Sequence, residues 1–240
     1  MTTTTAPLNV TMPDHPPVHD PIVAHVPAQL LWAAAQFAGN DPCKELLSNV
    51  CIRHSIIREG EHQGPAITIA ATDGHRLFRA IVPCSDWFTI NSETFDNDDG
   101  FKVAAKPLKK AVTHAQYARL RKSGSVTFVG GKKRKGSEAV PSEFLSSLNA
   151  SAHPWDSTRY PNIDQLFPDH FGQGTEPDIA FNARYLAEWC KVVEKLSTSG
   201  VVRMKRNHPT TPAVFECDFD LFSVGVIKLE CLIMPVQLRG

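Results

Sequence analysis

Apolar residues recur along the first part of the chain at the spacing of a helix and then at that of strands. After Pro27, a residue type favoured in the first turn of a helix, four apolar residues lie on one side of a helix that Gly39-Asn40 would end: Leu30, Leu31, Ala34 and Phe37. Apolar runs that suit strands follow at residues 50–57, 66–71 and 77–83. The pattern predicts one helix followed by several antiparallel strands.

The second part repeats this order and adds a basic surface. After a strand-like run at 101–104, the apolar residues with the i, i+3, i+4, i+7 spacing of a helix are Leu108, Ala111, Val112 and Ala115. The other side of this helix is basic, strands predicted at 126–129 and near 138–140 flank a basic tip, and no acidic residue occurs between Lys102 and Gly136. Such a surface is either merely solvated or, because its charge is segregated in a neutral chain, suited to bind phosphates.

The third part gives the same pattern again. A strand is predicted at 178–181, Asn182 is a suitable N-cap, and Gly200 lies where the helix would end. The apolar stripe of this helix is Leu186, Cys190, Val193 and Leu196, and strands are predicted at 201–206, 213–219 and 224–235. The fold class is therefore predicted to be α+β, with three half-domain repeats per chain, each a helix with antiparallel strands.

Composition sets the boundaries between these repeats. Residues 1–22, with a threonine run and several prolines, are predicted to be a disordered tail, and residues 151–177, rich in Pro, Ser, Asp and Gly, a linker. Residues 23–150 then form one domain with repeats at 23–83 and 100–150, and residues 178–240 form a C-terminal half-domain.

The composition of the whole chain excludes several functions. The 240 residues carry 25 basic and 25 acidic side chains, so any site for nucleic acid must be local. No apolar run reaches the ~20 residues of a membrane span, and the N-terminus lacks the charged and apolar regions of a signal peptide. We expect a soluble, cytoplasmic protein with no membrane partner. Its six cysteines form no Cys-x-x-Cys pair and are predicted to be buried, reduced thiols rather than disulfides or zinc ligands.

Candidate catalytic and metal-binding groups do not converge. Asp73 and His75 could form a metal pair or a base with its orienting acid, yet no third ligand, metalloprotease helix motif, nucleophile elbow or phosphate loop accompanies them. The histidines among the N-terminal prolines lack a fixed scaffold, and the acidic residues of 84–100 lack the EF-hand spacing. We therefore expect no enzyme activity, no catalytic residue, no metal and no cofactor, and interpret Asp73-Gly74 as a hairpin turn.

The C-terminal segment from Cys231 to Leu238 is almost wholly apolar. One interpretation is a central strand whose last residues pack inward. The other is an exposed hydrophobic rim, Ile233 to Val236, that forms a groove for a partner's peptide, because Met and Pro give an adaptable apolar surface. The residues alone leave both interpretations open.

Three segments of the chain together resemble the motifs of one known family. They are Ala71-Thr72-Asp73-Gly74-His75-Arg76-Leu77, Tyr160-Pro161-Asn162-Ile163-Asp164-Gln165-Leu166-Phe167-Pro168 and Leu232-Ile233-Met234-Pro235-Val236-Gln237-Leu238. In this order they resemble the bacterial processivity clamps, the β subunit of DNA polymerase III. The resemblance covers roughly residues 27–240 and implies a shortened version, without the family's first domain and the first half of its last domain.

The resemblance implies a DNA-clamp fold that assembles into a ring, with helices lining the hole and sheets forming the outer wall. Such a clamp hydrolyses no nucleotide, encircles double-stranded DNA and holds DNA polymerase and clamp-loader peptides in a hydrophobic pocket. Carried over by motif, this pocket comprises Thr72, Gly74, His75, Arg76, Leu77, Pro168, Leu232, Ile233, Met234, Pro235, Val236 and Leu238. Leu47 is a further candidate, and Gln237 stands where the family usually has Arg.

The residues predicted to contact DNA come from helix faces and charge rather than from a family motif. They are Lys106, Lys109, Lys110, Lys132, Lys133, Arg134, Arg184, Lys191 and Lys195. Filling a ring of the family's usual size with three repeats per chain favours a homotetramer, with a trimer as the alternative. The alternative function is a non-encircling decoy or adaptor that only binds clamp-binding peptides.

Overall fold

The described part of the chain contains three helices and fourteen strands. The computed structural model describes residues 21–40, 45–58, 62–91, 100–111, 115–130, 152–154, 163–167, 180–206, 211–221 and 223–236. In chain order the elements are β1 (Ile22–Pro27), α1 (Ala28–Phe37), β2 (Asn49–Ile57), β3 (Gly64–Thr72), β4 (Arg76–Pro83), β5 (Thr89–Ile90), β6 (Phe101–Ala104), α2 (Ala105–Ala111), β7 (Tyr117–Arg121), β8 (Val126–Val129), β9 (Ala152–Pro154), β10 (Ala180–Phe181), α3 (Ala183–Leu196), β11 (Arg203–Lys205), β12 (Ala213–Leu221), β13 (Gly225–Ile233) and β14 (Pro235–Val236).

One order of elements occurs three times: a strand, a helix, then antiparallel strands. The first unit runs from β1 through α1 to β4, the second from β6 through α2 to β9, and the third from β10 through α3 to β13. A short strand follows the last long strand of the first and third units, and it pairs with the first strand of the same unit: β5 with β1 and β14 with β10. The predicted α+β class, built from helix-plus-sheet repeats, is confirmed.

The first and second units exchange their opening strands. Strand β1 leaves the first unit and pairs antiparallel with β7, with His25 opposite Arg119. Strand β6 leaves the second unit and pairs antiparallel with β2, with Ile52 opposite Phe101. Because each unit completes the sheet of the other, the two are interlocked.

The third unit joins the first along strands β4 and β13. These strands pair antiparallel, with Leu77 opposite Leu232 and Arg76 opposite Ile233. The pairing produces one eight-stranded sheet in the order β11-β12-β13-β4-β3-β2-β6-β9, beside a smaller sheet in the order β5-β1-β7-β8. We call the β4–β13 pairing the seam, because it is where the sheets of the two units meet.

The main core lies on one side of the eight-stranded sheet, beneath the helices. Helix α1 packs against α2 and also contacts α3. Phe37 of α1, Phe78 of β4 and Trp189 of α3 meet with ring centroids 5.6–6.5 Å apart, and all three are fully buried. This aromatic cluster joins helix α3 to the first unit through apolar burial.

Helix α3 begins as predicted, and of its predicted apolar stripe Leu186, Val193 and Leu196 pack against the main core, whereas Cys190 does not. The Asn182 side chain accepts a hydrogen bond from the Arg184 backbone N–H (3.0 Å), which confirms the predicted N-cap. The buried residues are Trp189, Val192, Val193 and Leu196. Cys190, predicted in this stripe, is exposed, because Trp189 is the residue that points into the core.

Two other predicted boundaries were wrong. Residue 22 belongs to a strand rather than to a disordered tail, because Val23, Ala24 and Val26 of β1 are buried against the second unit. Ala115, predicted as the last residue of the apolar stripe of α2, lies outside the helix and just before β7, although it packs against the main core.

Parts of the predicted linker and basic hairpin lie outside the described residues. Within 151–177, strand β9 is described and pairs with β6, and a 3₁₀ turn covers Asp164–Leu166. The basic tip 132–135 and the strand predicted near 138–140 are not among the described residues.

The described cysteines are free thiols with different degrees of burial. Cys51, Cys217 and Cys231 are buried, and Cys84 is partly buried. Burial raises the pKa of Cys217 to about 12 and that of Cys231 well above its usual value, so both remain protonated at neutral pH. No helix of the described ranges is both long and apolar enough to cross a membrane.

Candidate functional site

The predicted hairpin corner between β3 and β4 is a tightly hydrogen-bonded turn. One carboxylate oxygen of Asp73 accepts hydrogen bonds from the backbone N–H groups of His75 (2.9 Å) and Arg76 (3.1 Å). The Thr72 hydroxyl accepts one from Gly74 N–H (3.0 Å) and donates to the Arg76 carbonyl (2.7 Å). Gly74 has φ +93°, a conformation that favours glycine. Asp73 therefore shapes the turn and holds Arg76.

The C-terminal segment reaches this corner. The backbone N–H of Met234 donates a hydrogen bond to the His75 carbonyl (3.1 Å), which continues the pairing of β13 with β4 by one residue. The two motif segments that lie far apart in the sequence are therefore adjacent in the structure. Leu47 also lies here, since a Cβ built on Gly74 would be 3.7 Å from its Cδ1.

Strand alternation divides the predicted pocket residues between the two sides of the sheet. Leu77 and Leu232 lie on the side away from the helices, where they form a second core cluster with Cys51, Ala70 and Ile163. Thr72 is opposite Leu77 on β3 and is almost fully buried. We call this side of the sheet the far side.

Arg76 and Ile233 lie on the helix side instead. Ile233 is completely buried in the main core, so the expectation that it forms part of an exposed rim was wrong. It faces the helices because it lies one position from Leu232, and neighbouring strand residues point to opposite sides. For the same reason Arg76, beside Leu77, points away from the far side.

Arg76 is the centre of a buried ionic network at the seam. Only 7% of the residue is exposed. Its guanidinium pairs with Asp73 (2.9 Å) and with Glu188 of α3, and it donates to the Gln36 carbonyl (3.1 Å). It also lies 4.9 Å from the ring centroid of Phe37 and 5.0 Å from that of Tyr185. These contacts hold the first and third units together.

An apolar surface remains on the far side of the seam. We call it the far-side patch: Leu77, Leu232, Ile163, Phe167, Leu166 and Met234. Phe167 packs on the buried cluster, and the Arg79 guanidinium lies 3.4 Å from its ring centroid while pairing with Glu230 (2.7 Å). Leu166 (45% exposed) lies between Ile163 and Phe167 in the chain, and strand alternation places Met234 (42%) on the same side as Leu232; Val236 (46%) is exposed as well. The patch therefore has a buried floor and an exposed, apolar rim.

The remaining pocket candidates have different positions. His75 is exposed, and its ring stacks on Tyr185 with centroids 6.3 Å apart. Gly74 is exposed at the corner, and Pro235 is partly buried. Pro168 and Leu238 lie outside the described residues. The contributions of Ile163, Phe167 and Arg79 were not predicted, although the segment 160–168 was already singled out by its motif.

On the helix side, a cleft of about 380 Å³ opens between the helices. Its lining includes Trp32 and Gln36 of α1, Lys109 of α2, and Arg184 and Lys191 of α3. Lys109 is half-buried and donates to the Ala38 carbonyl (3.3 Å) and the Asn40 side chain (3.0 Å). Burial, followed by the nearby Arg76 guanidinium, lowers the pKa of Lys109.

The described cations predicted to contact DNA are on the helices, and most are accessible. Lys106, Arg184, Lys191 and Lys195 are exposed. The Lys195 ammonium lies 4.2 Å from the ring centroid of Trp32, so it also bridges α3 and α1. The side chain of Lys110 is not described, and Lys132, Lys133 and Arg134 lie outside the described residues. The described residues contain no cluster of three metal-ligating side chains.

Comparison with known proteins gives matches to solved structures alone. No protein-family profile and no curated protein sequence matches the chain. The β sliding clamp of Caulobacter crescentus superposes with a TM-score of 0.53 at 14% identity, over 95% of this chain and 68% of that chain. The sliding clamp of Bartonella birtlesii, solved bound to griselimycin, gives 0.56 at 14%, over 94% and 68%. The DNA polymerase III β subunit of Thermotoga maritima gives 0.51 at 14%, over 98% and 71%.

These superpositions extend over nearly the whole chain. They agree with the repeated strand–helix–sheet unit and with the motif segments that meet at the seam. The chain thus has the fold of the bacterial DNA polymerase III β sliding clamps and spans about two thirds of the length of the clamps it matches.

Proposed function

We propose that this protein is a sliding clamp, a non-catalytic processivity factor that encircles duplex DNA and tethers DNA polymerase and other replication or repair proteins by their peptides. The observation that carries the proposal is the opposition of two surfaces. Exposed cations occupy the helices on one side of the sheet, and the far-side patch occupies the other.

The helix side suits DNA binding that does not depend on base sequence. Arg184, Lys191 and Lys195 recur along α3 at helical spacing, and Lys106 and Lys109 lie on α2. Flexible cations on helices attract phosphates irrespective of base sequence, and their contacts weaken with salt. Such contacts leave a clamp free to move along the duplex.

The far-side patch suits a short peptide with apolar anchors. Its floor is buried and well packed, while Met234 and Leu166 on its rim are exposed and can adapt to different side chains. His75 and Pro235 flank the position at which Met234 reaches the corner. We retain Thr72, Gly74, Val236, Pro168 and Leu238 as candidate pocket residues, while Arg76 is better explained as the support of the seam.

The ring requires several copies of the chain. We propose a homotetramer, with a trimer as the alternative, and a division into a two-repeat domain at 23–150 and a half-domain at 178–240. Native mass spectrometry and retention on circular DNA test this assembly. A particle of several chains that remains on circular DNA and is released when the DNA is cut supports encirclement. A protein that binds peptide but stays monomeric is the non-encircling adaptor.

The peptide site is tested by Met234→Glu. We expect this variant to bind a fluorescent peptide with Gln, Leu and Phe anchors about 30-fold more weakly, because a charge replaces an exposed apolar side chain on the rim of the patch. Fluorescence anisotropy measures the affinity. Met204→Glu is the matched control, since Met204 is also an exposed methionine but lies on β11, away from the patch. Equal affinity of Met234→Glu and the unmodified protein would remove the patch assignment.

The DNA surface is tested by Lys191→Glu. We expect binding to duplex DNA to weaken about tenfold at low salt and the slope of log affinity against log salt to fall by about one, since one phosphate contact is lost. The control is Lys228→Glu, which makes the same charge change at an exposed residue of β13, on the sheet rather than on the helices. If both variants lose affinity equally, the effect is one of net charge and the helix side is not the binding surface.

A further inference from the structure

The third unit has two strand edges that lack a partner among the described residues. In the first unit, β1 is paired on both edges, with β5 and with β7, and β2 is paired on both edges, with β3 and with β6. The corresponding strands of the third unit are paired on one edge each, β10 with β14 and β11 with β12. In the first unit the additional partners are strands of the second unit, β7 beside β1 and β6 beside β2, and the described residues of the third unit contain no counterpart of them.

Two apolar side chains at and just before the open edge of β11 are exposed. Val50 and Ile52 of β2, which β6 covers, are completely buried. At and just before β11, by contrast, Met204 is 55% exposed and Val201 57% exposed. Arg203 and Lys205 of β11 are already neutralised by Asp218 (2.7 Å) and Glu216 (2.8 Å) of the neighbouring strand, so charge does not oppose a strand at this edge.

One side of helix α3 is exposed among the described residues, and we call it the free side. Its Arg184, Glu188, Lys191 and Lys195 face the cleft and α1, and its Trp189 and Val193 face the sheet. Helical spacing places Ala183, Ala187, Cys190 and Glu194 on the third side, away from α1, and all four are exposed. The first and eighth residues of α1, Ala28 and Ala35, are completely buried, whereas the first and eighth of α3, Ala183 and Cys190, are not.

We propose that two copies of this chain pair through their third units about a twofold axis. Strand β10 of each copy adds to β11 of its partner, as β1 adds to β7 and β6 to β2 within the chain. The two α3 helices pack antiparallel along their free sides. The contact is isologous, so each copy both gives a strand and receives one.

The chemistry of the surface selects a second copy as the occupant. The partner of the third unit must supply an opening strand followed by a helix. It must also have a strand edge that can accept a strand in return. Another copy of the third unit meets both conditions. In the antiparallel arrangement Glu194 of one copy approaches the first turn of the partner's α3, where the helix dipole and Arg184 are positive. Among the described residues, Glu194 has no ion pair within the chain.

The pairing is tested by self-association and by crosslinking. Sedimentation equilibrium should show an even-numbered assembly, and Met204→Glu should weaken the self-association about 30-fold. A bismaleimide that spans the ~8–10 Å between packed helices should join two copies through Cys190, and Cys190→Ser should abolish the product. Met234→Glu is the matched control, which should self-associate normally because it lies at the seam.

The outcomes separate this pairing from the function proposed above. Loss of self-association in Met204→Glu with peptide binding retained supports the pairing. A monomer at every concentration, a trimer, or a crosslinked product that survives Cys190→Ser overturns it. If Met204→Glu fails to fold, the Cys190 crosslink in the unmodified protein decides. Failure of peptide or DNA binding with the crosslink intact overturns the clamp function and leaves the pairing in place.

Discussion

Replacing Arg76 by Ala is expected to lower the free energy of unfolding by about 3 kcal/mol. The substitution removes the buried guanidinium that pairs with both Asp73 and Glu188, and among the described residues Glu188 keeps only its ion pair with the exposed Arg184. Breaking a buried ion pair from one side costs about 3–5 kcal/mol, because the remaining charge is desolvated and unpaired. It also removes packing against Phe37 and Tyr185. Urea unfolding followed by circular dichroism measures the loss.

Arg184→Ala is the matched control for this measurement. Arg184 also contacts Glu188 (3.2 Å), but 81% of its side chain is exposed, so its removal is expected to cost less than about 1 kcal/mol. Equal losses in the two variants would mean that the buried network contributes little. Replacing Arg76 by Met together with Asp73→Asn and Glu188→Gln should recover part of the stability, because no unpaired charge then remains.

Replacing Trp189 by Ala is expected to lower the free energy of unfolding by about 4 kcal/mol. Trp189 is fully buried between α3 and the first unit, with its ring against Phe37 and Phe78. Removing a buried aromatic ring costs about 3–5 kcal/mol, since apolar burial is lost and a cavity remains. The same urea titration measures it, and hydrogen exchange of α3 should show whether the third unit opens first.

Trp87→Ala provides the comparison with an exposed tryptophan. Trp87 is 40% exposed and packs edge-on against Tyr117, so its truncation is expected to cost about 1 kcal/mol. A Trp189→Ala protein as stable as Trp87→Ala would contradict the view that this aromatic cluster fastens the third unit.

The sequence located the segments of the seam but not the side to which each residue points. The motif strings are contiguous, whereas strand alternation sends Leu77 and Leu232 to one side and Arg76 and Ile233 to the other. The resemblance groups neighbours in the chain, and only the pairing register separates them. Helix α3 shows the same limit, because Cys190 was predicted to face the core but is exposed, whereas its neighbour Trp189 is buried.

The elements least predictable were those stabilised by distant partners. Strand β1 follows a proline-rich stretch and has a weak local pattern, and its position depends on β7, about ninety residues further along. The exposed lysines of α3 were predicted well because helical spacing and polarity are local properties. Ile163 and Phe167 enter the far-side patch by long-range contact, which no local pattern contains.

The far-side patch takes residues from both the first and the third unit, since Leu77 belongs to β4, Leu232 belongs to β13 and Met234 directly follows β13. A ligand bound there touches the two strands that form the seam, so its occupancy is thermodynamically linked to the attachment of the units. At a hundredfold excess over its Kd, such a ligand stabilises the joined state by about 2.7 kcal/mol. Binding of the proposed peptide would therefore also stabilise the attachment of the third unit to the first.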